Sequence, residues 1–138
     1  MENITLNSHN MENQMNSVIY AEKKTFFPFG DGHIVAFLYE TVIEDWKQPG
    51  SPDDAPLITG YEYTGPREDG GTLLPCDNIS DYGELTNAII RSKYSLSEEM
   101  AIHRHHSNGD EGYEEEWAEY NDFCEQAKAL AKKWLGIV

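Results

Sequence analysis

The sequence is poor in positive charge, in cysteine and in long apolar runs. Ten Lys and Arg stand against 25 Asp and Glu, a formal net charge of −15 over 138 residues. A chain with so few cations lacks the partners that nucleic-acid phosphates or an anionic lipid surface demand, so neither is expected as a direct ligand. Apolar stretches run only a few residues, far short of the ~20 of a transmembrane helix. The opening residues show no charged-then-apolar signal pattern. Cys76 and Cys124 form no C-x-x-C and read as free thiols in a reducing cytoplasm. No Gly-x-Ser-x-Gly elbow, His-Glu-x-x-His or phosphate loop is present. Gly30-Asp31-Gly32 lacks the Lys-Ser/Thr end of a phosphate loop and fits a hairpin turn instead.

What is present points to one α+β domain. Chains of this size form a single core. Residues 1–17, polar and rich in Asn, read as a flexible arm. Residues 18–138 form the domain, with strands over 18–75 and helices over 81–135. Val18-Ile19-Tyr20 and Thr25-Phe26-Phe27 are β-prone. His33–Ile43 reads as one long strand, apolar on both faces and therefore central or covered. Lys47–Ala55 is a loop, Leu57–Thr64 a third strand, and Thr72–Leu74 a short fourth one ended by Pro75. This order predicts an antiparallel meander of three to four strands.

From Asp81 the apolar period changes from 2 to 3.6. Asp81 with Glu84, and Ser95 with Glu98, have capping-box spacing, so two short helices begin there. The second is expected to end near His106. In the last helix, Glu111–Leu135, the residues Tyr113, Trp117, Tyr120, Cys124, Ala127, Ala131 and Trp134 recur at 4, 3, 4, 3, 4, 3, one continuous apolar stripe. Early glutamates and late lysines suit its macrodipole, and Gly136 suits its C′ position. The two short helices and this long one are expected on one face of the sheet, with Trp117 and Tyr120 inward.

Two side-chain groups invite a chemical reading. On a helix, Glu99, His103 and His106 share a face, a donor set that a transition metal would accept; Arg104 within the His103–His106 cluster argues against it. Tyr39, Trp46, Tyr61 and Tyr63 would make a sticky sheet face, with packing under the helices as the plainer reading. Ser107–Glu125 holds eight acids and no base, a solvated helix face or one turned to a basic partner. No catalytic, cofactor-binding or metal-ligating residue is assigned, and no enzyme activity or cofactor is expected.

The stretches Ile58–Pro66 (Ile-Thr-Gly-Tyr-Glu-Tyr-Thr-Gly-Pro), Asp69–Leu73 (Asp-Gly-Gly-Thr-Leu), Ala88–Ile102 with its Arg91-Ser92-Lys93-Tyr94-Ser95, and Glu116–Lys128 together resemble small proteins encoded by phages and mobile elements of gut Bacteroidetes near tail or baseplate genes. The C-terminal half is similar to phage tail-fibre assembly chaperones in its Trp-x-x-Tyr rhythm. The resemblance spans roughly residues 57–133. It implies a non-enzymatic, acidic protein-interaction protein, a tail or virion accessory or assembly factor that binds a phage structural or host protein and is cytoplasmic or virion-associated. It carries no site residues over. Two alternatives follow from the residues: an acidic inhibitor that imitates DNA toward a host nucleic-acid-binding protein, and a metal-binding protein built on His103–His106.

Overall fold

The structure is a computed structural model that describes residues 14–137; the expected arm lies outside the described residues as far as residue 13. Among the described residues the chain runs β1 (Asn16–Tyr20), β2 (Phe26–Gly30), β3 (His33–Ala36), β4 (Thr41–Trp46), β5 (Ile58–Gly65), β6 (Thr72–Pro75), α1 (Tyr82–Arg91), α2 (Leu96–Asn108) and α3 (Glu114–Leu135). Strands precede helices, an α+β fold. Six strands replace the three or four expected, and they sort into two three-stranded antiparallel sheets, β1-β5-β4 and β2-β3-β6, instead of one consecutive meander. By contacts the chain divides into two compact units. Of the described residues, one comprises those up to Phe26 with Val35–Leu73; the other comprises Phe27–Ile34 with those from Leu74 onward.

The expected strand 33–43 is two strands in different sheets. The break is at Tyr39, whose φ of 58° lies in the left-handed region. A non-glycine residue there costs roughly 1–2 kcal/mol, so the surrounding contacts must hold it. The Phe37 N–H donates to the Thr25 carbonyl at 2.9 Å, and the Thr64 N–H donates to the Leu38 carbonyl at 3.2 Å. β3 is the middle strand of its sheet, and Ile34, Val35 and Ala36 are fully buried, in line with its apolar run. Pro28, which cannot donate to a ladder, sits in the edge strand β2.

In the first unit β5 is central. Val18 faces Tyr63 and Tyr20 faces Tyr61 across β1, while Val42 faces Tyr61 across β4. On that face Tyr63, Val35 and Phe37 form the core, with Tyr20 and Tyr61 against it. Ring centroids are 5.7 Å apart for Phe37–Tyr63 and 5.8 Å for Tyr20–Phe37, both edge-to-face. Such pairs add about 0.5–1.5 kcal/mol each beyond their area. The opposite face is shaped by Gly60. A Cβ there would lie 2.7 Å from Ile19 Cγ2 and 2.8 Å from the Trp46 ring, so only glycine lets the indole lie on the strand. The expected arm ends inside β1. Asn16 donates to the Pro66 and Arg67 carbonyls at 3.2 and 3.0 Å, and Ser17 bonds Thr64 Oγ1 at 2.8 Å. Composition marks these residues as polar; here that polarity satisfies the β5–β6 turn.

In the second unit α3 packs on α1 and α2. Leu85, Ala88, Ile89, Ile90, Ile102, Tyr120, Ala127 and Ala131 are its buried helical apolar residues. Asp81 caps α1 by accepting from the Glu84 N–H at 2.9 Å, but the Glu84 carboxylate accepts from the Asn78 N–H at 3.2 Å, so only half of that capping box forms. The Ser95–Glu98 box is complete. α2 runs to Asn108, two residues beyond expectation, because Gly109 (φ 69°) closes it: the Gly109 and Asp110 N–H groups donate to the His106 and His105 carbonyls, a Schellman closure. Gly136 ends α3 in the same way. α3 begins at Glu114, three residues later than expected.

Candidate functional site at the α2–α3 junction

The clearest constellation of polar and aromatic side chains lies where α2 meets α3. The 4, 3 spacing of Glu99, His103 and His106 does set them on one face, and that face meets α3. Glu99 accepts from Arg91 Nη2 at 2.5 Å and from the Tyr120 hydroxyl. His103 Nε2 is 3.3 Å from the same hydroxyl, and its ring stands edge-on to Trp117 at 5.2 Å. The His106 ring lies flat on Trp117, centroids 3.8 Å apart and planes 6° apart. His105 pairs with Glu116 at 2.9 Å and stacks on Tyr113 at 3.8 Å. Glu99 and His103 thus share Tyr120, Glu99 also holds Arg91, and His106 lies on Trp117, so each donor of the candidate metal set is engaged by α1 or α3. Among the described residues no group of three or more His, Cys, Asp or Glu is placed to hold a metal ion.

The electrostatics follow the geometry. Burial alone would raise the Glu99 carboxyl, but the hydrogen bonds from Tyr120 and Arg91 and the Arg91 charge outweigh it and hold the group below the usual carboxylate range. Tyr120 is pushed well above the ordinary phenol range, first by burial and then by its bond to Glu99. Arg91 also donates to the Tyr94 carbonyl at 3.0 Å, which ties the end of α1 to the start of α2. Burial raises both the Cys76 and Cys124 thiols, and both are free cysteines.

Two open clefts of about 260 Å³ each flank the junction. The first, at the α2–α3 turn, has the stacked His106 and Trp117 with Tyr113 in its wall and Asp110 and Glu114 in its lining. The second is lined by Tyr94, Ala101 and Ile102 together with Glu98, Glu116 and Glu119. His105 lines the first and Glu116 the second, so their contact stands between the two. The Tyr94 phenol registers this convergence: burial and then the negative charge around it, from Glu119, Cys124, Glu116 and Glu98, push it up.

The other expected group does not assemble. Tyr61 and Tyr63 share the core face of β5 and pack on Tyr20, Phe37 and Val35 of their own unit. Trp46 lies on the opposite face over Gly60, and Tyr39 is exposed at the turn between β3 and β4. Tyr63 donates to Glu40 Oε2 at 2.6 Å and accepts from the Lys24 N–H at 2.8 Å; burial and Glu40 raise it above the ordinary phenol range. Trp117, expected inward against the sheet, is half-buried under the histidines of α2. Sequence reasoning missed Arg91 and Tyr120 as the partners of Glu99, since separations of 8 and 21 residues carry no local signal. Comparison of the chain with protein-family models, with curated proteins and with solved structures finds no match.

Proposed function

We propose that the chain is a non-enzymatic protein-interaction protein, a tail or virion accessory or assembly factor of a phage or mobile element. The observation that supports this reading is the character of the α2–α3 surface. Its inner polar groups, Arg91, Glu99, Tyr120 and His103, are spent on one another, and its outer side is two open clefts with aromatic walls and carboxylates in their lining. Aromatic side chains beside polar groups suit a macromolecular contact. Exposed Leu96 and Met100, one turn apart on α2, extend the apolar surface of the same helix. The resemblance over residues 57–133 supplies the partner class. Co-expression of the tagged chain with the tail and virion proteins encoded beside it tests the reading: one of them is expected to co-purify in defined stoichiometry. Retention of none, or of a host nuclease or repressor in their place, overturns it, the second result in favour of DNA mimicry.

A further inference from the structure

We infer that the paired clefts of the α2–α3 seam are sockets for two cationic side chains, arginine in preference to lysine, presented by a basic segment of the partner; this rests on the interaction reading above and names its site. Three observations carry it. The first is charge. Neither cleft has a Lys or Arg in its lining, while Asp110 and Glu114 stand at one, beside His105 and His106, and Glu98, Glu119 and the His105-bonded Glu116 at the other. They belong to the run from Ser107 to Glu125 and to the first turn of α2, in a chain of net charge −15, a field that draws a cationic segment in.

The second is wall chemistry. A guanidinium is planar, weakly hydrated and stacks on aromatic faces while its fork meets carboxylates. The first cleft offers the Trp117 and Tyr113 rings beside Asp110 and Glu114. The second offers Ala101, Ile102 and Tyr94 to an aliphatic stem, with Glu98 and Glu119 for the head. The third is rigidity. The walls are fixed by the His106–Trp117 stack, the His105–Glu116 pair and the Glu99–Tyr120 bond beneath, so little ordering is required when a ligand enters. A metal cation is a poorer fit, because the carboxylates are spread over two clefts and not gathered round one point.

The test uses the full chain, 15N-labelled, and a capped hexa-arginine peptide at low salt. The Trp117 indole N–H and the Ala101 and Ile102 amides are expected to shift saturably, with the Trp46 indole unmoved. The double variant Glu114→Gln/Glu119→Gln is expected to weaken binding about threefold to tenfold, the loss of two exposed ion pairs. The charge-matched double variant Asp53→Asn/Asp54→Asn, in the exposed loop after β4, is expected to change it less than about twofold. A hexa-citrulline peptide, uncharged but of similar shape, is expected not to bind. Unchanged Tm in both double variants verifies that they fold. Equal weakening by the two double variants, a still Trp117 indole, or binding of the citrulline peptide overturns the assignment. Peptide binding that leaves Trp117 unmoved removes the sockets while leaving the interaction reading intact. Failure to co-purify any tail or virion protein, with the peptide still seated in the clefts, removes that reading alone.

Discussion

Tyr120→Phe removes one oxygen from the middle of the junction and leaves the ring that packs edge-to-face on Tyr94 at 5.3 Å. That oxygen donates to Glu99 and stands 3.3 Å from His103 Nε2. Arg91 remains on the other Glu99 oxygen at 2.5 Å, so the carboxylate loses one of two partners and stays ion-paired. A hydrogen bond to a charged group contributes about 1.5–3 kcal/mol, and the site is shielded, with only 17% of the Glu99 side chain exposed. The expected loss at neutral pH is therefore about 2 kcal/mol, read as a lower urea midpoint at unchanged slope. Phenylalanine keeps the volume, so no cavity contribution adds to it.

The pH dependence makes the assignment specific. Glu99 is held below its ordinary range in the fold. A depressed carboxyl contributes stability that is complete above the unfolded value of about 4.3 and is lost as pH falls through the folded one. The bond from Tyr120 is part of what depresses it. The gap between wild type and Tyr120→Phe is therefore expected to be widest at pH 7 and to narrow below about pH 4.3. Urea titrations at pH 7 and at the lowest pH that retains a folded baseline measure this. A loss under about 0.5 kcal/mol at pH 7, smaller than a neutral hydrogen bond, would refute the reasoning. A loss that stays the same on acidification would show that the ring, and not the carboxylate bond, is responsible.

Three further perturbations probe other parts of the fold. Gly60→Ala sets a methyl group 2.7–2.9 Å from Ile19 and the Trp46 ring; it should cost about 1–3 kcal/mol as overpacking and shift Trp46 emission, and an unchanged midpoint would show that the indole moves aside freely. Ser95→Ala breaks the complete capping box of α2 and should cost about 1 kcal/mol, visible as faster hydrogen exchange at the start of that helix. Thr86 Oγ1 is buried without a hydrogen-bond partner, so the isosteric Thr86→Val is expected to leave stability unchanged or raise it by up to about 1–3 kcal/mol; a lower Tm would mean that the hydroxyl has a partner after all.

Helix positions were legible because their determinants are local. Ser95, Glu98 and Gly136 each act over one turn and do what their spacing implies; of the seven-residue stripe, Tyr120, Ala127 and Ala131 are buried, while Tyr113 is the exposed N-cap before α3. The strands were less legible because pairing is not local: β1 joins β5 across more than 40 residues of chain, and no pattern within Asn16–Tyr20 names its partner. The split of His33–Ile43 was hidden for a different reason. β-propensity reports how side chains fit a pleated surface, and Tyr39 fits one well; its left-handed backbone is imposed by Thr25 and Thr64, which bond the residues just before it. Helix α3 shows the limit of periodicity itself, since the stripe states which side of the helix is apolar and not what covers it. For Trp117 the cover is a histidine ring.

The same limit of periodicity holds at the α2–α3 junction. Spacing alone places Glu99, His103 and His106 on one face, and that much of the site was legible. A metal site, however, needs the donors to converge on one point, whereas Glu99 and His103 are both taken up by the Tyr120 hydroxyl and His106 reaches a different position along the facing helix. Glu99 and His103 meet Tyr120, His105 meets Glu116 one turn earlier, and His106 meets Trp117 between them. The antiparallel pairing of α2 and α3 thus divides a cluster that is compact in sequence into successive pairwise contacts. Those contacts consume the imidazoles and leave the carboxylates of Glu98, Asp110, Glu114 and Glu119 at the margins. The same division that removes the ligands of a cation from the interior therefore leaves carboxylates beside aromatic walls on the exterior, the charge pattern on which the proposal of a basic partner segment rests.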